Sequence, residues 1–289
     1  MKKLVFYCAL ILLVLVTFSS YEYLKFNDHD LHLVMCDVGQ GDAIFITTPT
    51  KTQILIDGGP DKSVLSCLSN NMPFWDRSID MVILTHPHAD HYSGLLHVVD
   101  RYSLNGFFTQ DIKSTSEGFK LLEAKLADRN LSAKHLKKND KFSDKSGVVF
   151  KILWPDQLRL KEMNQNSSNY DLNESSIVAL LTFGNFSALL TGDAEKSSID
   201  QVGSGVKTVN VLKVPHHGSS EAVSTEQLDQ LNPEIALISA GEGNKFGHPK
   251  KDTIDLLHAS NVRIFRTDKD GEIEIISNGK GFTVTTKSR

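Results

Sequence analysis

The stretch Thr85-His86-Pro87-His88-Ala89-Asp90-His91 follows directly on the apolar run Met81-Val82-Ile83-Leu84, so four potential metal ligands fall within six residues. A β-strand that ends in a loop carrying three imidazoles and a carboxylate can set them around one point. No packing requirement explains that density, and a merely solvated polar loop has no use for it. Imidazole nitrogen and carboxylate oxygen suit zinc, iron or manganese, and a site that keeps coordination positions for water is catalytic rather than structural. The H-x-H-x-D-H pattern therefore points to a metallohydrolase.

The chain has 289 residues, 40% apolar and 23% charged with only 8 prolines, a composition that suits one large folded domain or two small ones. A net charge of −4 argues against a broad basic surface for sequence-independent nucleic-acid binding, while leaving room for a local positive groove.

Residues 1–26 stand apart: Lys2 and Lys3 precede the apolar run Leu4 to Phe18, and polar residues resume at Glu22. This pattern reads as a signal peptide or an uncleaved membrane anchor. The 18 uncharged residues between Lys3 and Glu22 sit at the short edge of a bilayer span, so length leaves both readings open. Either way, residues 27–289 are expected outside the cytoplasm as one catalytic domain, with Lys2 and Lys3 left inside. Cys8 belongs to the apolar run. Cys36, in an expected strand, and Cys67, in an expected helix over 62–71, read as small buried apolar residues; one bridge between them stays open in an oxidising compartment.

From Leu31 onward, short β-type runs alternate with helical ones. Strands are expected over 31–35, 43–47, 53–56, 81–84, 148–154, 176–183, 186–191, 208–214, 235–239 and 262–265, with a closing antiparallel pair over 272–276 and 282–285. Helices are expected over 92–101, 116–129, 221–231 and 250–260, and an irregular Asn-rich loop (Asn164, Asn166, Asn169) over 155–172. Alternation over two halves predicts two packed sheets with helices outside, a four-layer αββα sandwich. Asp57, Asp193 and the pair His216/His217 each stand just past an apolar strand, as the histidine loop does. Strand ends facing one edge would bring these ligands together around two cations.

These residues resemble a family. H-x-H-x-D-H, an upstream Asp57-Gly58-Gly59, a downstream Thr191-Gly192-Asp193 and a later His216-His217-Gly218-Ser219 look like the metallo-β-lactamase fold superfamily. A finer resemblance is to the extracytoplasmic hydrolase domain of ComEC-type competence proteins. It rests on Asp37-Val38-Gly39-Gln40-Gly41-Asp42, Leu55 to Gly59, Leu190 to Glu195, Leu212 to Ser219, Gly247-His248-Pro249 and Arg266-Thr267-Asp268, and the chain reads as a free-standing relative.

The resemblance implies two divalent ions, zinc or manganese. His86 and His88 would hold one, Asp90 and His91 the other, and Asp193 would bridge them. His217 is favoured over His216 as the ligand that completes the second metal's set, with His216 behind it or facing the phosphate. Asp57, and with it Asp42, would orient ligands from outside. Many superfamily members supply a further histidine where Asp171 to Ser176 stands here; Asn173 or a water would fill that place. His135 reads as a surface or packing residue. The implied reaction is attack of a metal-bridging hydroxide on a phosphodiester, with Asp90 orienting the attacking oxygen and His216 or His248 facing the phosphoryl oxygens.

The implied substrate is DNA or another phosphodiester, met outside the cytoplasmic membrane, with the membrane touched only through the N-terminal segment. No protein partner is readable. Lys213, Lys245, Lys250 and Lys251 are candidates for a phosphate-guiding surface. Alternatives are an exported esterase, lactonase or β-lactam hydrolase of the same fold, and a non-catalytic accessory protein.

Overall fold

A computed structural model describes residues 1–165, 170–203, 205–220 and 222–287. Asn166, Asn169 and Glu221, which figure in the expected loop and helix, lie outside them. Two sheets face each other. The first runs in the order Phe282–Lys287, Glu272–Ser277, Leu31–Met35, Ile44–Thr47, Gln53–Ile56, Met81–Ile83, Phe107–Thr109, Ala133–His135. The second runs Arg263–Arg266, Ile235–Ile238, Val211–Lys213, Phe186–Leu190, Val178–Phe183, Val149–Trp154, Lys141–Ser143.

In each sheet four neighbouring strands are parallel: from Gln53–Ile56 to Ala133–His135 in the first, and from Phe186–Leu190 to Arg263–Arg266 in the second. Parallel strands all end on one side, and the loops beyond those ends are where α/β sheets build sites.

The core shows the expected layering. Leu33, Met35, Ile44, Ile56, Phe150, Leu181, Ala188 and Val211 meet between the sheets. Helices Val64–Asn71, Ala89–Arg101 and Glu117–Asp128 cover the first sheet. Lys196–Gly203, Thr225–Leu231 and Lys251–Ala259 cover the second, giving the αββα sandwich. Ser224 caps Thr225–Leu231 reciprocally with Gln227, the capping box that satisfies two orphan donors.

Two expectations change. The segment after Trp154 is not all loop: Gln157–Gln165 is helical, with Leu160 and Met163 buried three residues apart and the Asp156 carboxylate accepting from the Arg159 amide. Cys36 and Cys67 are bonded, their Cα atoms 5.6 Å apart, so the strand and the helix over it are stapled rather than merely packed.

Lys2–Phe26 is a 25-residue helix with no buried residue, long and apolar enough to cross a membrane. It leads into the first sheet beside His32, whose Nδ1 meets Glu274 and whose Nε2 meets Asp28, each at 2.8 Å. Burial opposes a charge on His32, but Glu274 and Asp28 outweigh it and raise the imidazole above its ordinary value of 6.5. The hydrogen bond from His32 lowers Glu274.

A raised histidine stabilises fully below its unfolded value and loses that contribution as pH rises through its folded one. His32→Gln should therefore cost about 1 kcal/mol at pH 6 and close to nothing at pH 9 in urea unfolding. A pH-independent cost would contradict this linkage.

Candidate metal centre

The chain ends of four strands meet at one rim. Past Gln53–Ile56, Asp57 turns in the left-handed region at φ 59°. Its carboxylate accepts from the Thr85 amide and hydroxyl, each at 2.7 Å, and lies 2.8 Å from Nδ1 of His91. Such backbone strain persists only where surrounding contacts fix it.

Asp90 and His91 do not lie on a loop. Helix Ala89–Arg101 begins inside the motif, so both sit on its first turn. The Gly58 amide donates to the His91 carbonyl and the Gly94 amide to the Gly59 carbonyl, locking that helix to the Asp57 turn. A Cβ on Gly94 would stand 1.8 Å from the Gly58 oxygen, so only glycine allows this approach.

From the second sheet, Asp193 follows Phe186–Leu190, and its amide donates to Ser176 Oγ. His216 and His217 follow Val211–Lys213, both left-handed, with φ 47° and 55°.

Donor atoms of Asp90, His91, Asp193 and His217 lie within 4.8 Å of one another. Nε2 of His91 is 3.2 Å from Asp193 Oδ2, and Nε2 of His217 is 3.3 Å from the same oxygen and 3.4 Å from Asp90 Oδ2. The other nitrogens point outward: Nδ1 of His91 to Asp57, Nδ1 of His217 to the Ser239 carbonyl at 3.0 Å and to Asp42 at 3.4 Å. One ring nitrogen fastened and the other aimed inward is how ligand imidazoles are held.

Alongside, Nε2 of His86 and Nδ1 of His88 face each other at 3.1 Å, and the His86 ring is 4.1 Å from that of His91. Thr85 and Ser176 hydroxyls sit 3.1 and 3.3 Å from His86 Nδ1. Burial drives His86 well below its ordinary pKa, leaving a neutral imidazole.

Charge completes the case that cations fit. Burial opposes ionisation of Asp42, Asp90 and Asp193, but Lys213 and His217, then His217 and His91, hold all three below the ordinary carboxylate range. Burial opposes the charge on Lys213, but Asp42 and Asp193 outweigh it and keep the ammonium charged. Four carboxylates, Asp57 included, against one ammonium leave a deficit of positive charge. Here His91 and His217 supply it, raised well above their ordinary value by Asp193 with Asp57 and with Asp42, despite burial. A divalent cation would supply the same charge. Among the described buried atoms without a hydrogen bond are His91 Nε2, His217 Nε2, Asp193 Oδ1 and Asn173 Oδ1, donors that suit a metal.

The remaining candidates divide. Asn173 is buried in a short turn over 172–175 beside the rim. His216 stands outside the cluster, its Nδ1 3.8 Å from Glu195. His248 packs 5.8 Å from His216, and its Nδ1 is buried without a hydrogen bond. Asp57, wholly buried, is raised because burial outweighs His91. His135 is exposed, 3.5 Å from Asp111.

Lys213 corrects its expected surface role. It is fully buried, paired with Asp42, 3.5 Å from Asp193 and 2.6 Å from the Gly192 carbonyl. It ends a central strand flanked on both sides by parallel neighbours, where both faces are covered. A lysine in such a run, Val-Leu-Lys-Val, signals a buried partner, as a surface reading does not. Ser239 carries no motif of its own and, like the hydroxyls of Thr85 and Ser176, comes to its place beside the ligands only through the fold.

Two sheets flanked by helices, with imidazoles and carboxylates gathered at the strand ends, define the metal-dependent hydrolase type of αββα sandwich. A model of the metallo-beta-lactamase superfamily matches residues 36–242, and the chain belongs to that superfamily. The ComE operon protein 3 of Bacillus subtilis is 31% identical over 264 residues, 83% of this chain and 32% of that protein. Recombination protein 2 of Haemophilus influenzae is 24% identical over 266 residues, 91% of this chain and 31% of that protein. The chain thus spans about a third of these relatives' length. The metallo-beta-lactamase fold protein YhfI of Bacillus subtilis shares the fold at TM-score 0.53 and 11% identity, over 81% of this chain and 96% of that one.

Lys213→Met keeps the volume but strands Asp42 and Asp193 without their ammonium. It is expected to cost about 3–5 kcal/mol in chemical unfolding, the penalty for halving a buried ion pair. A cost under about 1 kcal/mol would mean the pair holds nothing.

Proposed function

We propose that the chain is a metal-dependent phosphodiesterase that cleaves DNA outside the cytoplasmic membrane. The observation that carries the metal chemistry is the facing pair of nitrogens on His86 and His88 beside the cluster of Asp90, His91, Asp193 and His217. In this reading His86 and His88 would hold one divalent ion and Asp90, His91 and His217 the other, with Asp193 available to both sets. Asn173 Oδ1, buried without a hydrogen bond, would be the candidate to join the first set. Zinc and manganese both match such a mix of imidazole and carboxylate. When bound, a pair of such ions acidifies water toward neutral pH and draws charge from phosphoryl oxygens.

The chain's own groups do the rest. Asp90 is the ligand-set carboxylate most open to solvent, its side chain 35% exposed, so its free oxygen can accept a hydrogen bond from the attacking water and aim it. With a cation bound, Asp57 and the Ser239 carbonyl would accept the Nδ1 protons of His91 and His217, leaving Nε2 of each free to face inward. His248 is lowered to about 4 by burial and by His217 and His216, so near neutral pH it offers phosphoryl oxygens a neutral N–H rather than a charge. His216, one-third exposed at the mouth, is placed to meet the same oxygens.

The DNA reading draws on the relatives' names, a competence-operon product and a recombination protein. It draws also on the rim: Phe246, 49% exposed, stacks on His248 at 5.8 Å and 24°, with the Lys245 ammonium 5.0 Å from its ring. An exposed aromatic beside a cation is a base-stacking platform next to a phosphate contact. The helix Lys2–Phe26 and the Cys36–Cys67 bond both fit a chain carried across the membrane into an oxidising compartment, with the helix as signal or anchor and residues 27–289 as the hydrolase domain.

The test is incubation of the full chain, stripped of metal and reloaded with manganese or zinc, with single-stranded DNA, double-stranded DNA and a chromogenic phosphodiester. Asp90→Ala and His91→Ala should each lose at least about 100-fold in rate. Turnover of the small ester, a lactone or a β-lactam with neither DNA cut would remove the nuclease reading and keep the hydrolase.

A further inference from the structure

Where the N-terminal helix meets the domain, the surface is aromatic. On the helix, Tyr21 is 63% and Tyr23 59% exposed; on the loop after Val64–Asn71, Phe74 is 51% and Trp75 50% exposed. Phe74 lies 5.4 Å from the ring of Phe18 on the helix, and Trp75 packs edge-on to Phe74 at 4.8 Å. Lys25 Nζ reaches the Asn70 carbonyl at 3.4 Å and lies 4.4 Å from the Phe26 ring, fastening the helix end beside that loop. Isolated exposed hydrophobics are ordinary, but adjacent Phe and Trp continuous with an apolar helix form a patch that needs a cover.

We propose that the Pro73–Trp75 loop seats the domain on a phospholipid bilayer. Phe74 and Trp75 enter the headgroup and upper acyl region beside the helix, and the metal-binding rim faces away from the lipid. This rests on the reading of Lys2–Phe26 as a membrane-embedded segment.

Depth supports the assignment. Phe18 precedes Glu22, the first charged residue after Lys3, by four positions, about 6 Å along a helix axis. A ring in contact with Phe18 therefore sits just below the level where charge begins. Tyr, Trp and a snorkelling Lys are the residues that occupy that level.

Orientation follows from the sheet. Asp76 accepts from Gln53 Nε2 at 2.7 Å and Asp80 from the Gln53 amide at 2.9 Å, tying the loop to the start of strand Gln53–Ile56. That strand ends at Asp57, about 13 Å further on, where the carboxylate holds His91. The helix enters the first sheet at Leu31, the same end. Both attachments to the membrane thus lie at the sheet end opposite the rim, leaving the rim open to a polymer arriving from the aqueous side.

The chain has two tryptophans, Trp75 half exposed and Trp154 only 3% exposed, so emission reports the loop against an internal control. The full chain is reconstituted in phosphatidylethanolamine–phosphatidylglycerol vesicles, plain or brominated high on the acyl chains, and compared with Trp75→Phe. Brominated lipid should quench more than about half of the Trp75 emission and leave Trp75→Phe unchanged. Should the chain float with the vesicles while Trp75 emits equally in both lipids, the helix embeds and the seating proposal falls; a second copy covering the patch would give that result. If the chain stays in the aqueous fraction, the anchor reading falls first and the seating proposal with it.

Discussion

The structure depends on charge gathered at a rim where most of the charged side chains are buried. Asp42, Asp90 and Asp193 are all held ionised, and only Lys213 answers them permanently. Isolated, any one of these groups would be too costly to bury. Together they form a network whose remaining need is positive charge at one place, between His91 and His217. The same network ties the molecule together, because Asp42 comes from the first half of the chain while Lys213 and Asp193 come from the second. The site and the seam between the two halves are thus one set of interactions.

Backbone choices serve that set. Asp57, His216 and His217 adopt left-handed conformations, and Gly94 clears the way for its helix to approach the Asp57 turn. Strain of this kind needs contacts that over-determine it, and each residue has them: Asp57 through Thr85 and His91, His217 through Ser239 and Asp42. At the far end of the same strands, the helix and the Phe74–Trp75 loop present apolar surface. The strands separate a polar, ligand-rich end from an apolar one.

Much of this was legible beforehand. The αββα layering follows from apolar runs alternating with amphipathic ones, and the rim from ligands placed just past those runs. What stayed hidden depends on distance in sequence. Lys213 read as surface because its partners lie 171 and 20 positions away, and only the central place of its strand reveals that it is buried. The Cys36–Cys67 bond is hidden for the same reason: each cysteine has an apolar role locally, and their 31-residue separation says nothing of the 5.6 Å between Cα atoms. The helix Gln157–Gln165 is hidden because its buried apolar face is only Leu160 and Met163 amid polar residues. Asp90 and His91 read as loop because the helix start is marked by no capping side chain.

The proposed chemistry requires two cations side by side at this rim. The most direct measurement is anomalous diffraction from crystals of the chain soaked with manganese or zinc. Two peaks are predicted, one beside His86 and His88, one among Asp90, His91 and His217, with Asp193 between them. Peaks elsewhere, or none with the rim side chains ordered as described, would contradict it.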